Sequence, residues 1–541
     1  VIFSSANGGG SWTAISPDLT RNEKSKQQSS GGPLSQDNTS VEYYDTVFCI
    51  AESPISKGEI WAGTDDGLVQ MTRDGGKNWT NVTPKGIPEW IKVSIVAPSP
   101  TTVGTAYAAL DGQKLDDMRP YLYKTNDFGK TWKKITNGIP DNAITHSIKE
   151  DTKRKGLLFA GTESGVYVSF DDGVNWKSLR GTMPNTPVHD MVIKDDDLAI
   201  ATHGRSFYVM DNITPLREMT NDVQNAETHL FTPVAAIRGR GMTLDYWLKS
   251  APQGPITIEI SDASGKVIRT FTGRAPVAGA EETPAGGGRG RGGEGGFGGG
   301  GAAPTVNAGM NRFTWDLRTD PPSQVPNAVY WGGRGAGVAI STGTYNVKLT
   351  AGGQSYTAKV EVKTDPRLHV SQEDLDKQFE FATRLNSRIT AGHDAINQIR
   401  SLRGQLDLLK QRLPATPETK AVLDAADALN KKMTAVEEEM IQTKSTSNED
   451  ALNFPIRTVN QLVDLFGTVE SADAAPTAQS YEVFEVLNKQ LTASLAKWDD
   501  IQKTDLADLN AKMAQANVPG VSLPPAGRGG AGGRGGRRGG N

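Results

Sequence analysis

Side chains that could do chemistry recur in the loops between short strands in the first part of the chain. Three carboxylates in these loops are candidate catalytic residues: Asp116, Asp117 and Glu163. Glycoside hydrolysis uses two carboxylates about 5–10 Å apart across the scissile bond, so these residue types favour that chemistry. Four further side chains are candidate ligand-binding residues: Trp90, Arg119, His203 and Arg205. Among these, the indole of Trp90 could stack on a sugar ring.

Each candidate also has an ordinary structural explanation, because tight turns favour polar residues. The same loops carry more polar side chains of these kinds: Asp65, Asp66, Glu89, Asp111, Asp141, His146, His189 and Asp190. Several carboxylate pairs are therefore possible, and the sequence does not choose among them. No spacing of His, Cys or Asp resembles a zinc or calcium site. We therefore predict neither a metal nor a cofactor.

An eight-residue motif, Ser/Thr-x-Asp/Asn-x-Gly-x-x-Trp, occurs four times. Its acidic or amide, glycine and tryptophan positions are Asn7, Gly9 and Trp12; Asp74, Gly76 and Trp79; Asp127, Gly129 and Trp132; and Asp171, Gly173 and Trp176. In a tight turn the Asp side chain can accept hydrogen bonds from backbone N–H groups, and the Gly can adopt a positive φ. The Trp can tuck under its own hairpin and bury a large apolar area. We therefore predict that the motif positions are structural.

The spacing of the motifs indicates a repeated architecture. They recur near the period of about 40–50 residues that is typical of propeller blades. Each interval holds four short alternating runs, which predict four antiparallel strands, A to D, with the motif as the turn from C to D. The first repeat has only C and D, and the last has no clear D. We therefore predict an incomplete ring over residues 1–220.

An incomplete ring needs something to complete it. The opening residues, "VIFSS", have the pattern of a strand that is already under way. We therefore expect missing N-terminal sequence, and we predict that an upstream propeller segment or a second polypeptide completes the ring.

Strand order also predicts where a ligand binds. The motif turns join strands C and D, so the B-to-C turns and D-to-A connections lie on the opposite face. This opposite face carries all of the catalytic and ligand-binding candidates, and its loops are longer and more varied.

Overall composition limits the other possibilities. The chain has 541 residues, enough for three or four domains, and a formal net charge of -4. This charge provides no bulk attraction to nucleic acid or to an anionic membrane. No apolar run approaches the length of a membrane span.

The rest of the chain divides by pattern into three further segments. Alternating strands over residues 221–365 predict an immunoglobulin- or fibronectin-like β-sandwich, interrupted by a Gly-rich insert near 283–303 that we expect to be disordered. From Ser371, which with Asp374 forms a plausible capping box, apolar residues follow at helical spacing and predict a helical bundle over residues 366–518. The Gly/Arg-rich tail, residues 519–541, is predicted to be disordered rather than to bind nucleic acid.

The motifs resemble the Asp-boxes, or BNR repeats, of sialidases, xyloglucanases and the sortilin ectodomain. The stretches "AGTDDGLVQMTRDGGKNWTNVTPKGIPEW", "GTESGVYVSFDDGVNWKSL" and "LAIATHGRSFYVMDNITPLR" look closer to a group of bacterial sortilin-like or "glycosyl hydrolase" BNR-repeat proteins. The fold class is then mainly β: a partial Asp-box propeller, a β-sandwich and a C-terminal helical bundle.

This resemblance implies two functions. One is an extracytoplasmic binding or scaffold protein, periplasmic, cell-surface or secreted, that recognises a peptide, protein or glycan on the face opposite the motifs. The other is a glycoside hydrolase, either retaining or inverting. The sialidase pattern fails, because the chain contains no Arg-Ile-Pro motif and its arginine triad and tyrosine nucleophile cannot be assigned.

Overall fold

A computed structural model describes residues 1–29, 31–36, 44–274, 303–414 and 416–524. The chain divides into two compact units, Val1–Asn225 (unit 1) and Ala226–Asn541 (unit 2). Among the described residues, no helix combines the length and apolar character needed to cross a membrane.

Unit 1 consists of five antiparallel sheets in chain order. Sheet 1 has β1 (Phe3–Ser4) and β2 (Thr13–Ala14); sheet 2 has β3 (Val47–Glu52), β4 (Ile60–Thr64), β5 (Val69–Thr72) and β6 (Thr80–Asn81); sheet 3 has β7 (Lys92–Pro98), β8 (Ala106–Asp111), β9 (Tyr121–Thr125) and β10 (Lys133–Lys134). Sheet 4 has β11 (Thr145–Glu150), β12 (Leu158–Thr162), β13 (Gly165–Ser169) and β14 (Lys177–Ser178), and sheet 5 has β15 (Val188–Lys194), β16 (Asp197–Thr202) and β17 (Phe207–Met210). The predicted four-stranded antiparallel repeats are therefore confirmed.

Consecutive sheets pack face to face because their strands are apolar on both sides. Along β8, Ala108 and Leu110 face a core shared with sheet 2, while Tyr107 and Ala109 face a core shared with sheet 4. This period-two division follows from the pleat of a strand. The first strands of successive sheets also contact one another, β3 with β7, β7 with β11 and β11 with β15. Such stacking is typical of propeller blades.

Two short helices follow sheet 5, α1 (Thr214–Glu218) and α2 (Asn221–Asn225). Leu216 of α1 joins the core between sheets 4 and 5. Arg217 forms an ion pair with the fully buried Asp151, with 2.8 Å between Nη2 and Oδ1. The helix therefore packs against sheets 4 and 5 through both apolar and charged contacts.

Unit 2 begins with two sheets that share one hydrophobic core. The three-stranded sheet contains β18 (Thr228–Leu230), β20 (Met242–Leu248) and β23 (Gly309–Trp315). The five-stranded sheet contains β19 (Ala236–Ile237), β21 (Ile256–Ser261), β22 (Val267–Gly273), β24 (Gly343–Ala351) and β25 (Gln354–Lys363), with β19 parallel to β25. The predicted Gly-rich insert lies almost wholly outside the described residues.

Five helices complete the described part of unit 2. They are α3 (Gln372–Arg412), α4 (Pro417–Met440), α5 (Thr458–Val469), α6 (Ala478–Lys503) and α7 (Asp505–Gln515). The start of α3 is as predicted, because the Ser371 hydroxyl accepts a hydrogen bond from the Asp374 N–H at 3.1 Å.

The helical core recruits residues from both ends of the predicted bundle. Tyr330 and Val338, from the loop after β23, are buried in that core. Val521 and Leu523, at the start of the segment predicted as a tail, also pack against it. Residues 525–541 of that tail lie outside the described residues.

Candidate functional site

The repeated motifs form the same hydrogen-bonded turn in every sheet that carries one. In sheet 2, Asp74 accepts hydrogen bonds from the Thr72 hydroxyl at 2.8 Å and from the Asn78 N–H at 3.0 Å. The same contacts hold Asp127 and Asp171, while Asn7 takes the place of the aspartate in sheet 1. These hydrogen bonds lower the pKa of Asp74 to about 2, because they favour its charged form. The motif carboxylates therefore stabilise the turn between the third and fourth strands.

The motif tryptophans make a contact that sequence reasoning did not predict. Each was expected to lie under its own hairpin, but the indole N–H of Trp79, Trp132 and Trp176 donates to a main-chain carbonyl of the preceding sheet, at 2.9, 2.6 and 2.7 Å. Trp12 has no preceding sheet among the described residues, and it is 63% exposed. The motif thus joins one sheet to the next as well as closing a turn.

The first strand of each of sheets 2 to 5 has a β-bulge near its start. The residues skipped by the pairing register are Phe48, Ser94, His146 and His189. A bulge inserts one residue and redirects side chains, and bulges are common beside functional sites. Sequence reasoning placed His146 and His189 in loops; the structure places both within strands, at equivalent bulges of neighbouring sheets.

A group of polar side chains meets where these bulges lie, opposite the motif turns. We call it the polar cluster, and its members are Lys92, Asp111, His146, Glu163, His189 and His203. The ring centroids of His146 and His189 are 4.5 Å apart, and those of His189 and His203 are 4.9 Å apart. Among the described residues, no group of His, Cys, Asp and Glu side chains has an arrangement that could hold a metal ion.

A chain of charged contacts organises the cluster. Lys92 Nζ lies 2.6 Å from Asp111 Oδ2, and Asp111 Oδ2 lies 3.7 Å from His146 Nδ1. His146 Nε2 lies 2.8 Å from Glu163 Oε2. Asp111 and His146 are buried, whereas the Glu163 side chain is 43% exposed. The buried pair therefore orients a carboxylate that a ligand can reach.

The ionisation of the cluster follows from these contacts. Burial acts to raise the pKa of Asp111, but hydrogen bonds from His146 and Lys92 outweigh it, so the net shift is downward. Burial acts to lower the pKa of His146, but Asp111 and Glu163 outweigh it and the net shift is upward. The pKa of His189 is lowered by burial and by the neighbouring His146 and His203.

These opposed shifts predict a pH window for stability. The pKa of His146 is raised in the folded state. Its ionisation therefore contributes fully to the free energy of unfolding below the reference pKa of 6.5, and this contribution is lost as the pH rises through the folded pKa. Asp111 contributes to the free energy of unfolding at pH values above its reference pKa of 3.8, because its folded pKa is lowered. The loss of unfolding free energy in His146→Gln should therefore be largest near pH 5–6, and it should shrink as the pH rises through the folded pKa of His146.

Urea denaturation at several pH values measures this loss. His369→Gln, at an exposed histidine of unit 2, is the matched control. If His146→Gln loses the same free energy of unfolding at every pH, the ionisation of His146 does not contribute to stability as we expect.

The structure places Asp117 and Arg119 in a separate pair. Arg119 Nε and Nη2 donate to the two carboxylate oxygens of Asp117 at 2.9 and 2.7 Å, and the Tyr121 hydroxyl donates at 2.7 Å. The hydrogen bonds from Arg119 lower the pKa of Asp117. Asp117 is therefore ionised near neutral pH and holds no proton to donate, which argues against a general-acid role. Asp116 is exposed on the same loop, with a left-handed φ of 58°.

Trp90 lies in a third group. The Tyr44 ring stacks against it with 5.7 Å between centroids, and the Arg21 and Lys26 cations lie 4.8 and 4.6 Å from its own centroid. These side chains, which sequence reasoning missed, already surround the indole, so Trp90 is not a bare stacking platform. Arg205, the remaining candidate, is exposed in the turn that follows His203.

The sequence candidates are thus only partly brought together. Glu163 and His203 belong to the polar cluster, whereas Asp117 with Arg119 and Trp90 with Tyr44 form separate groups. Lys92 was missed by sequence reasoning. The available signal was a lysine at the start of a mostly apolar strand, "IKVSIVAP".

Comparison with solved structures finds similarity over part of the chain. A GH74 xyloglucanase from Xanthomonas campestris matches 37% of this chain and 33% of its own, at 16% identity and a TM-score of 0.26. A GH74 enzyme of Niastella koreensis matches 65% and 49%, at 12% identity and a TM-score of 0.28. YCF48 bound to a D1 peptide matches 41% and 71%, at 14% identity and a TM-score of 0.24.

Comparison with curated proteins gives closer matches over shorter stretches. Over 131 residues the chain is 33% identical to a probable oligoxyloglucan-reducing end-specific xyloglucanase of Neosartorya fischeri, covering 24% of this chain and 16% of that protein. Over 110 residues it is 30% identical to an oligoxyloglucan-reducing end-specific xyloglucanase of Emericella nidulans, covering 19% and 13%. No protein-family model matches the chain. The chain is therefore similar to xyloglucanases over a stretch that covers only a small share of their length.

Proposed function

We propose that unit 1 is a carbohydrate-binding propeller segment and that the polar cluster is its ligand site. The observation that carries this proposal is the graded exposure of the cluster. Asp111 and His146 are buried and fixed by ion pairs, while Glu163 is 43% exposed at its side chain and His203 is exposed. Buried partners that fix exposed hydrogen-bonding groups are what a selective polar site requires.

The chemistry of the cluster suits a ligand rich in hydroxyl groups. A carboxylate accepts hydrogen bonds, an ammonium donates them, and a neutral imidazole does both. Sugar hydroxyls also donate and accept, so each can pair with more than one member of the cluster. The curated relatives are named for activity on oligoxyloglucan, which makes xyloglucan oligosaccharides the first ligand to test.

Wider features of the proposal rest on the resemblance of the motifs to Asp-boxes. We assign the chain to the bacterial sortilin-like BNR-repeat group and place it outside the cytoplasm. We also propose that residues 221–365 form an immunoglobulin- or fibronectin-like sandwich acting as a spacer, followed by the helical bundle of residues 366–518. The two sheets around one core in unit 2 support the sandwich.

Substitution of the exposed histidine tests the ligand site. His203→Ala should weaken binding of xyloglucan oligosaccharides by about 3–10-fold, because a hydrogen bond to a sugar hydroxyl is lost. Titration calorimetry on the full chain measures the effect, and His369→Ala in unit 2 is the matched control. A glycan and peptide array run in parallel shows whether the chain binds a different class of ligand. Equal affinities in the two variants would overturn the placement of the site.

A glycoside hydrolase is the second candidate function. The 33% identity over 131 residues with a probable xyloglucanase favours it. Such an enzyme needs a protonated carboxyl group as its acid, yet the pKa values of Asp111 and Asp117 are both lowered by ion pairs. Of the three candidate catalytic carboxylates, Glu163 and Asp116 then remain.

The release of new reducing ends from xyloglucan separates the two functions. If the chain is a hydrolase that uses Glu163, Glu163→Gln should lower the rate by orders of magnitude and largely spare binding. If the chain is a binding protein, neither the native chain nor the variant releases reducing ends. A hydrolytic rate that Glu163→Gln leaves intact would exclude this residue as catalytic.

A further inference from the structure

A tryptophan is exposed in the loop between β23 and β24 of unit 2. Trp331 is 46% exposed. Tyr330, the residue before it, is buried in the helical core, and its hydroxyl lies 2.8 Å from His393 Nε2. A single exposed apolar side chain is ordinary on a protein surface. The main chain that carries this one is, however, anchored in the core one residue away.

A buried amide side chain fixes the main chain of Trp331 itself. Asn460, in the first turn of α5, is 4% exposed. Its Nδ2 donates to the Trp331 carbonyl oxygen at 3.0 Å, and its Oδ1 accepts from the Trp331 N–H at 3.0 Å. One side chain therefore pairs with both main-chain polar groups of Trp331, and the indole projects from a fixed position.

The residue after Trp331 packs against the same helix. Gly332 has a φ of 79°, and a Cβ there would lie 2.9 Å from Asp464 Oδ1. Asp464 lies one turn after Asn460 on α5 and accepts a hydrogen bond from Asn460 Nδ2 at 3.3 Å. Ordering of loops and side chains opposes association. Because residues 330–332 are fixed already, a ligand that binds at the indole orders little additional chain.

A small cavity opens beside Trp331. It lies between the loop that carries this residue and the segment that joins α4 to α5. The polar part of its wall consists of Gln442, Ser445, Ser447, Asn448 and Asn460. The other described residues of the wall are apolar or aromatic, so all of the lining side chains are neutral. Its volume, about 10 Å³ for a water-sized group, holds one water molecule or one hydroxyl group.

These features suit a neutral sugar. The ring substituents of a β-linked glucopyranose are equatorial, so both faces of the ring present C–H groups that can pack against an apolar indole. Hydroxyl and amide side chains donate and accept hydrogen bonds, as sugar hydroxyls do. A charged group in the cavity would meet no opposite charge among the described lining residues, and an unpaired buried charge is costly.

We propose that Trp331 and the adjoining cavity form a binding site for a neutral β-linked glucose oligosaccharide. One sugar ring stacks on the indole, and one hydroxyl group of the same ligand enters the cavity. This site belongs to unit 2 and is separate from the polar cluster of unit 1. It does not depend on the function that we propose for that cluster.

Hydrogen exchange of the full chain with cellotetraose tests this site, because the method locates the ligand peptide by peptide. At about 10 mM cellotetraose, exchange should slow by at least about 3-fold in peptides that cover residues 329–333 and 442–448. In Trp331→Ala, the concentration that gives half of this protection should rise by at least about 10-fold. Trp331→Phe should retain most of the protection, because a flat aromatic ring remains.

Two variants and one second ligand are the controls. Trp12→Ala removes an exposed tryptophan of unit 1, and His203→Ala alters the polar cluster; both should leave the protection of the unit 2 peptides unchanged. Tetragalacturonate, which carries a carboxylate on every ring, should protect these peptides at least about 10-fold more weakly. Trp331→Ala should shift the Tm by less than about 2 °C, because the side chain is exposed.

Four results would overturn the proposal. The first is a failure of about 10 mM cellotetraose to protect either segment. The second is protection that Trp331→Ala and Trp12→Ala leave equally intact. The third is equal protection by tetragalacturonate, which would contradict a neutral site. The fourth is self-association of the native chain that sedimentation velocity detects and Trp331→Ala abolishes, since a second copy would then occupy the indole.

Discussion

Replacing Trp176 by alanine should lower the free energy of unfolding by about 3–5 kcal/mol, the usual cost of removing a buried aromatic side chain. Trp176 is 4% exposed, lies in the core between sheets 3 and 4, and donates its indole N–H to the Ile135 carbonyl. The variant therefore loses apolar burial and leaves a carbonyl without its donor. Urea denaturation measures the change.

Trp12→Ala is the matched control, because it removes the same side chain from the same motif. Trp12 is 63% exposed, so we expect a change of no more than about 0.5 kcal/mol. Ligand binding by folded Trp176→Ala protein should be retained. Equal destabilisation by the two substitutions would contradict the structural role assigned to the contact of Trp176 with Ile135.

Gly76→Ala should be the most harmful single-atom substitution in the motif of sheet 2. Gly76 has a φ of 98°, which strains any residue with a Cβ, and that Cβ would lie 2.3 Å from the Ile15 carbonyl oxygen. Left-handed backbone costs about 1–2 kcal/mol, and overpacking costs about 1–3 kcal/mol. We therefore expect about 2–5 kcal/mol of destabilisation by urea denaturation.

The adjacent glycine separates the two causes. Gly75 also has a positive φ, 72°, but a Cβ there would meet nothing within 4 Å. Gly75→Ala should therefore cost only the backbone term, about 1–2 kcal/mol. If both alanine variants lose the same stability, the close approach of sheet 1 to Gly76 contributes nothing.

The pairs Trp176 and Trp12, and Gly76 and Gly75, show which parts of the motif the sequence could predict. Gly76 was expected to have a positive φ, because the Gly follows the Asp in a tight turn, and the structure confirms this. The approach of Ile15 to the same glycine was not expected. Ile15 is far from Gly76 in sequence, and no local pattern encodes the distance between two sheets.

In the candidate site, too, local sequence predicted the residue types, whereas only the structure showed their contacts. His146 and His189 were predicted to lie in the D-to-A connections, but both lie within first strands, at equivalent bulges where their rings meet. Lys92 escaped notice because its partner, Asp111, lies on the neighbouring strand of the same sheet. Trp90 was expected to be open to a sugar, yet Tyr44 and Arg21 lie against it.

The amino-acid sequence by itself determined the local elements of this protein. Alternation of apolar residues set the strands, the Ser/Thr-x-Asp-x-Gly turn closed each hairpin, and Ser371 began the long helix. These features depend on residues a few positions apart, so hydrophobic periodicity and turn residues predict them directly from the sequence. Only the tertiary structure decided that the motif tryptophans cross to the preceding sheet and that the polar cluster assembles around the first strands of sheets 3, 4 and 5. Such contacts join residues separated by whole repeats, and their geometry depends on how the sheets stack.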